Sequence, residues 1–135
     1  MSLLTDARQY PLVAVVDIDF SDIVTTAVAV NVLELPQNSV VTKIDLVVDT
    51  AFAGGTSHDL DIGDDVDPNR YTQTISEIDA AGVPVNPPAA DFYQTTDAEP
   101  NITITPTHVG ATLTSGAGRL IVEYVIAGRH NENQG

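Results

Sequence analysis

Apolar residues recur at every second position along most of this chain, which is the spacing of β-strands that bury one face. In residues 120–126 the even positions are apolar, while Glu123 lies on the opposite face. Residues 40–52 repeat the pattern, with mostly apolar even positions from Val40 onward and polar odd positions such as Lys43 and Asp45. An amphipathic helix needs a period of 3.6 residues, so this alternation predicts an all-β fold.

Clusters of glycine, proline, asparagine and aspartate separate the alternating runs and predict eight or nine strands. The predicted strands are Leu12 to Phe20, Ala27 to Leu35, Val40 to Phe52, Asp59 to Ile62, Arg70 to Thr74, Phe92 to Thr95, Asn101 to Thr105, Ala111 to Thr114 and Leu120 to Ile126. Ser115 to Gly118 is predicted to be a hairpin turn. Residues 74–82 carry a short helix signal, because Thr74 and Glu77 have capping-box spacing. Many short strands without alternating helices favour a two-sheet, jelly-roll-like β-sandwich, whose strand order is not predicted.

The strand phases also predict which side chains form the core between the sheets. The predicted core residues are Val16, Ile18, Phe20, Ile44, Leu46, Val48, Phe52, Leu60, Ile62, Ile102, Ile104, Leu120, Val122, Tyr124 and Ile126. Val13, Val15, Ile121 and Val125 fall on the opposite faces, where they form an exposed apolar patch in a monomer. This surplus apolar surface predicts that copies of the chain associate, and we expect a trimer.

A chain of 135 residues has the length of one ordinary domain. We expect an N-terminal arm at residues 1–11, a β-sandwich at residues 12–127 and a polar C-terminal tail at residues 128–135. The chain has no cysteine, which excludes disulfides and thiolate metal sites. The first ten residues contain no apolar run of signal-peptide length, and no segment approaches a membrane span. We therefore expect a soluble protein made in a cytoplasm.

The charge excludes one class of function. Nineteen acidic residues against five basic ones give a formal net charge of −14. Such a surface repels nucleic acids and anionic membranes, so neither is an expected partner.

The densest polar cluster begins in the fourth predicted strand and continues into the turn after it, and it comprises Asp59, Asp61, Asp64, Asp65 and Asp67. Calcium needs several oxygen ligands that converge from a short loop, and this segment offers enough of them. However, Asp59 and Asp61 should point to solvent if Leu60 is buried, and the order of ligands differs from that of known calcium loops. A solvated turn is the favoured interpretation, and cation binding stays open.

No motif predicts catalysis or a cofactor. The three histidines, His58, His108 and His130, fall in separate segments, and no serine has a nucleophile-elbow pattern around it. Acidic pairs at glycosidase separation are expected by chance among 19 acids. The chain has no tryptophan, which disfavours a carbohydrate-binding module without excluding it. The sequence therefore predicts no enzyme, no catalytic residues, no metal site and no cofactor.

A family resemblance rests on the run Glu34-Leu-Pro-Gln-Asn-Ser-Val-Val-Thr-Lys-Ile-Asp-Leu-Val-Val-Asp-Thr-Ala-Phe52 and on residues 54–71. Its features are a Leu-Pro turn before a Val-Val-Thr strand, a Thr-Ala-Phe ending, and Leu-Asp-Ile-Gly-Asp leading to Asp-Pro and a tyrosine. This pattern resembles small virion proteins of tailed bacteriophages, of the capsid decoration (cement) or head-surface type.

The resemblance implies a β-sandwich, usually a homotrimer, that binds the major capsid protein on the outside of the virion and stabilises the head. The alternative is a head-fibre or tail-associated module that binds a receptor or carbohydrate.

Charge adds one expectation about the contact with the capsid, because burying unpaired carboxylates is costly. Contact with the capsid should use the arm at residues 1–11 and the uncharged proline-rich loop at residues 82–90. The segment Asp59–Asp67 should then face solvent.

Overall fold

The computed structural model describes residues 10–76, 78–83 and 101–126, and almost all of its regular structure is β. The elements are β1 (Leu12–Asp19), a one-turn 3₁₀-helix η1 (Phe20–Ile23), β2 (Val30–Glu34), β3 (Ser39–Ala53), β4 (Ser57–Gly63), β5 (Thr72–Ile75), β6 (Asn101–Val109) and β7 (Ser115–Ile126). No helix in these ranges is long and apolar enough to cross a membrane.

The strands form two antiparallel sheets, one in the order β1-β7-β3 and the other in the order β2-β6-β4-β5. Their pairing is nested along the chain: β1 pairs with β7, β2 with β6, and β4 with β5. The pairing that falls between β2–β6 and β4–β5 in this nested order joins β3 to the segment after β5. There, Val48 on the edge of β3 that does not contact β7 exchanges two backbone hydrogen bonds of 2.8 Å with Gly82. Nested pairing of this kind, divided between two packed sheets, is jelly-roll topology. The predicted all-β sandwich is confirmed.

The core lies between the two sheets and contains the side chains that the alternation predicts. Leu46, Leu60, Ile62, Ile104, Leu120 and Val122 are completely buried. Of the other predicted core residues, Val16, Phe20 and Tyr124 are partly buried and pack at its margin. Buried apolar residues that the prediction omitted are Ile23, Leu35, Val41, Tyr71, Ile75, Ile78 and Leu113.

At the beginning of strand β3, the prediction of which residues point inward was wrong. Its pairing with β7 shifts register between Val41 and Lys43, so one additional residue lies on the β3 side. Since alternate residues face opposite ways, an extra residue reverses which of them point inward. Val41 is therefore buried and Val40 is only half-buried, whereas strict alternation from Ile44 back placed Val40 inside.

Several other predictions need correction. Residues 111–114 do not form a strand, and Ser115–Gly118 is the beginning of β7 rather than a turn. The described residues of segment 74–82 contain no helix. The predicted strand at residues 92–95 lies outside the described residues.

The helix η1 was not predicted. Its N-cap is Asp19, whose carboxylate accepts a hydrogen bond from the backbone N–H of Ser21 at 3.2 Å. Asp22 completes a capping box, because its carboxylate accepts from the Asp19 N–H at 2.9 Å. These two bonds end β1 and turn the chain across the end of the sandwich.

Candidate interaction surface

The outer face of the β1-β7-β3 sheet carries an apolar patch, which we define as Val13, Val15, Ile121 and Val125. Val15 and Ile121 are direct partners across the β1–β7 pair, and Val13 is the partner of Glu123. Val13 is 59% exposed and Val15 is 56% exposed, while Ile121 and Val125 are half-buried. The strands place these side chains next to one another because residues two apart share a face of the sheet.

Charged pairs border this apolar patch. On β3, Lys43 lies 3.6 Å from Asp45, the residue paired with Ile121. Further along the sheet, Arg119 contacts Asp49 on β3, with Nε 3.0 Å from Oδ2 and Nη2 3.0 Å from Oδ1. Glu123 lies on the same face between Ile121 and Val125 and is the register partner of Val13, so the patch is apolar with one carboxylate inside it and charged pairs at its border. Apolar and charged side chains occur together in this way in protein–protein interfaces.

The described part of the chain offers little to an anionic partner. It contains three basic side chains, Lys43, Arg70 and Arg119, and each of them already lies beside an aspartate of the same chain. Counterion release requires cations that are free to neutralise phosphates.

Within the acidic segment, Asp64 does not face solvent as expected, because it is only 8% exposed. Its Oδ1 accepts hydrogen bonds from the N–H groups of Val66 at 2.9 Å and Asp67 at 2.8 Å. Its Oδ2 accepts from Nε of Arg70. The carboxylate therefore holds the turn at residues 64–70 together, and Asp64 has a structural role. The pattern of Asp64 followed by N–H groups two and three residues later is an Asx-type turn, and it could have been predicted locally.

The other members of the acidic segment differ in exposure. Asp65 is exposed and accepts a hydrogen bond from Asn101 Nδ2 at 2.9 Å, whereas Asp59, Asp61 and Asp67 are half-buried. Burial raises the pKa of Asp61, a hydrogen bond from Thr74 opposes this effect, and the charge of Asp59 adds to it. In the described ranges no three His, Cys, Asp or Glu side chains come together in an arrangement suited to a metal ion.

The structure also brings together two histidines that the sequence placed in separate segments. His58 on β4 and His108 on β6 are register partners, and their Nδ1 atoms are 3.0 Å apart. The two residues are 50 positions apart in sequence, and only the β4–β6 register joins them. No local sequence signal could have predicted this contact.

Comparison with known proteins gives a consistent structural answer. No protein-family model matches the sequence, and no curated protein matches it. A chain of the cyanophage Pam1 capsid asymmetric unit matches with a TM-score of 0.69 and 23% identity, covering 93% of this chain and 94% of that one. A chain of the capsid of Ralstonia phage GP4 gives a TM-score of 0.67 and 23% identity, covering 94% of this chain and 91% of that one.

A third match is a chain of the acidic stable capsid structure of Helicobacter pylori bacteriophage KHP30. Its TM-score is 0.61 at 17% identity, with 87% of this chain and 88% of that chain covered. These structural neighbours come from phage capsids, in agreement with the sequence resemblance. At such identities the matches establish the fold, and they do so over most of the chain.

Proposed function

We propose that this chain is a structural virion protein of a tailed bacteriophage, which binds the outer surface of the head as a decoration (cement) protein and stabilises the shell. The observation that carries the proposal is the similarity of the whole fold to chains of phage capsids, with TM-scores between 0.61 and 0.69. The sequence resemblance at residues 34–71, a pattern of strands and turns, points to the same class.

The apolar patch supports association between copies of the chain. Val13 and Val15 expose more than half of their surface, and covering apolar surface is the main favourable contribution to protein association. In the proposed assembly this face lies against neighbouring subunits of a homotrimer. The trimer then binds the major capsid protein through other parts of each subunit.

Charge favours the arm and the proline-rich loop as the parts that meet the capsid. The chain carries a net charge of −14, whereas the arm at residues 1–11 is neutral and the loop at residues 82–90 has no charged residue. Both segments lie largely outside the described residues, so the argument for them rests on charge. Uncharged segments are the least costly to desolvate in a contact.

Binding to capsids tests this proposal. Capsids of the encoding phage, prepared without this protein, are mixed with the purified chain and sedimented. The intact chain should sediment with them, and deletion of residues 1–10 should weaken binding while circular dichroism and thermal melting remain those of the folded protein. Asp59→Asn and Asp65→Asn form the matched control and should bind normally, since Asp64 must stay in place to hold its turn.

Two results would contradict the proposal. If the truncated chain bound fully while the aspartate variants lost binding, the acidic segment would be the contact. If the intact chain ignored capsids and bound host cells, the protein would be a receptor-binding module.

A further inference from the structure

The outer edges of the two sheets differ in how well they are closed. In the described ranges the edge of β3 is bonded to the segment after β5 at two points, because Val48 pairs with Gly82 and the Phe52 N–H donates to the Ile78 carbonyl at 2.9 Å. The edge strand β2 has five residues and a register shift in its pairing with β6, and the edge strand β5 has only four residues. Short or irregular edge strands are poor templates for a further strand.

The edge of β1 is the exception. This strand has eight residues, it pairs with β7 in one unbroken register from Leu12 to Asp19, and no other described strand pairs with it. Its first five residues, 12–16, include no charged residue, proline or glycine. Proteins usually protect an edge of this length with a charge, a proline or a bulge, because its unpaired backbone groups can bind another strand.

The backbone of β1 shows which groups are available at this edge. The Asp19 N–H donates to the Asp22 carboxylate at 2.9 Å, so it points away from β7. Backbone groups of an antiparallel strand point to alternate sides from one residue to the next. The N–H and C=O groups of Val13, Val15 and Asp17 therefore point away from β7 as well.

The pairing on the other side of β7 leads to the same assignment. Gly118 is the register partner of both Ile18 and Val48. Val48 exchanges its backbone hydrogen bonds with Gly82, away from β7, so the backbone groups of Gly118 are directed to Ile18. Because Ile18 bonds to β7, the odd-numbered residues of β1 direct their backbone groups to the open edge.

A cavity of about 220 Å³ lies beside this edge, between β1 and β2. Apolar side chains of both strands line it, namely Val16, Ile18, Val30 and Val32. A strand added to β1 would direct every second side chain toward the interior of the sandwich, on the side of this cavity. The edge therefore suits a strand with an apolar side chain at the inward-facing position opposite Val16.

Three carboxylates lie at the C-terminal end of the edge. Asp17, Asp19 and Asp22 are exposed, and the basic side chains of the described chain lie beside other aspartates. A residue directly opposite Asp17 on an added strand would have its β-carbon within about 5.5 Å of that of Asp17. Lysine or arginine at that position would pair with Asp17, whereas a carboxylate would be repelled.

We propose that the open edge of β1 binds an extended segment of the major capsid protein as an additional strand. The segment has apolar residues opposite residues 13–16 and a lysine or arginine opposite Asp17. The inference rests on the proposed function, and it adds to the arm assigned to the capsid the strand that directly follows that arm. Strand pairing uses groups in the plane of the sheet, so the outer face stays available for contacts between copies.

Removing one backbone donor tests the edge. Val15→Pro deletes an N–H that points away from β7 and keeps an apolar side chain, whereas Val15→Thr keeps the N–H and nearly the same side-chain volume. Capsids of the encoding phage, prepared without this protein, should bind Val15→Thr as they bind wild type and Val15→Pro about 10- to 100-fold more weakly. Circular dichroism, thermal melting and sedimentation without capsids should show that both variants fold and assemble as wild type does.

Charge reversal tests the chemistry of the partner. Asp17→Lys should weaken binding to the same capsids by about tenfold, while Asp65→Lys, which changes the net charge equally at an exposed turn residue, should bind as wild type does. Undiminished binding by Asp17→Lys or by Val15→Pro would overturn the inference and leave the proposed function intact. Failure of wild type itself to bind capsids would overturn both.

Hydrogen exchange of wild type covers the case in which Val15→Pro does not fold. Mass spectrometry should show that the amides of Val13, Val15 and Asp17 exchange rapidly in the free protein and slowly on capsids, with no change in β2. Unchanged exchange in β1 on binding would contradict the proposal. Protection in the free protein that grows with its concentration would contradict it too, because a second copy would then occupy the edge.

Discussion

The backbone of Gly116 on β7 lies directly against the aromatic ring of Phe52 on β3. A β-carbon at this glycine would come within 2.3 Å of the ring carbon Cδ1, and the residue has a φ of +133°. Both features require glycine, because the conformation is strained for other residues and the space is already filled. The contact fixes where the beginning of β7 crosses the end of β3.

Gly116→Ala should therefore destabilise the fold more than a glycine-to-alanine substitution that introduces backbone strain alone. Gly82 provides the matched control, since its φ is +129° and nothing lies within 4 Å of an added β-carbon. Gly82→Ala should cost about 1–3 kcal/mol from backbone strain, and Gly116→Ala about 1–3 kcal/mol more from overpacking. Urea unfolding measures both. An equal decrease in the free energy of unfolding for the two variants would show that the contact with the Phe52 ring does not add to the cost of Gly116→Ala.

Much of the fold could be predicted from local sequence, and Gly116 shows where that reasoning fails. Alternation placed Leu46 and Leu120 in the core, and both are completely buried. Gly116 and Gly118 were predicted to form a turn, but they lie inside β7. Glycine is needed at both positions because neighbouring groups approach the backbone closely. The Phe52 ring lies against Gly116, and the Val47 carbonyl oxygen lies 2.7 Å from where a β-carbon of residue 118 would be. Local sequence does not show which distant residue approaches a glycine.

The features of the candidate surfaces also differ in how far local sequence could predict them. The face on which the patch lies follows from strand phase within β1 and β7, but only Val13 and Val15 are exposed as predicted, whereas Ile121 and Val125 are half-buried. The Asx-type turn at Asp64 has a local signal that the prediction overlooked, whereas the burial of its carboxylate also depends on Arg70 folding back over the turn. The His58–His108 pair depends on strand register between distant segments.

Asp64→Asn should destabilise the chain, although it changes only one carboxylate oxygen to an amide. The side chains of Asp64 and Arg70 are 8% and 10% exposed, and they form an ion pair. Removing one charge of a buried pair costs about 3 kcal/mol. Asp65→Asn, at an exposed neighbour, should change the free energy of unfolding by less than about 0.5 kcal/mol. Similar values for the two variants in urea unfolding would refute a structural role for Asp64.

Asp61 should make the stability depend on pH on the acidic side. Burial raises its pKa above the ordinary value of 3.8, so the folded state takes up a proton at a higher pH than the unfolded chain does. Ionised Asp61 therefore opposes folding at neutral pH, and this penalty disappears as the pH falls through the raised pKa.

Replacing Asp61 with asparagine removes the penalty. Asp61→Asn should raise the melting temperature at pH 7 by roughly 1–3 °C, a modest gain because the side chain is only half-buried. The gain should shrink as the pH falls through the raised pKa and vanish below about pH 3, where the wild-type carboxyl is protonated in both states. Asp65→Asn serves as the control, and a gain of equal size at every pH would argue against the ionisation of Asp61 as its cause.

The apolar patch should control assembly. The double variant Val13→Asp, Val15→Asp places two charges in its centre, so it should sediment as a monomer at micromolar concentration while wild type sediments as a trimer. Val66→Asp is the matched control, because Val66 is 74% exposed and lies in the turn after β4. A monomeric wild type, or a double variant that still forms trimers, would contradict the assignment of this face.

Electron cryo-microscopy of the intact particle would locate the chain on the virion. We expect density for this jelly-roll on the outside of the head, arranged as trimers on the major capsid protein, with the β1-β7-β3 faces turned toward one another. Density for the chain only in a tail or a fibre, with a bare capsid exterior, would contradict it.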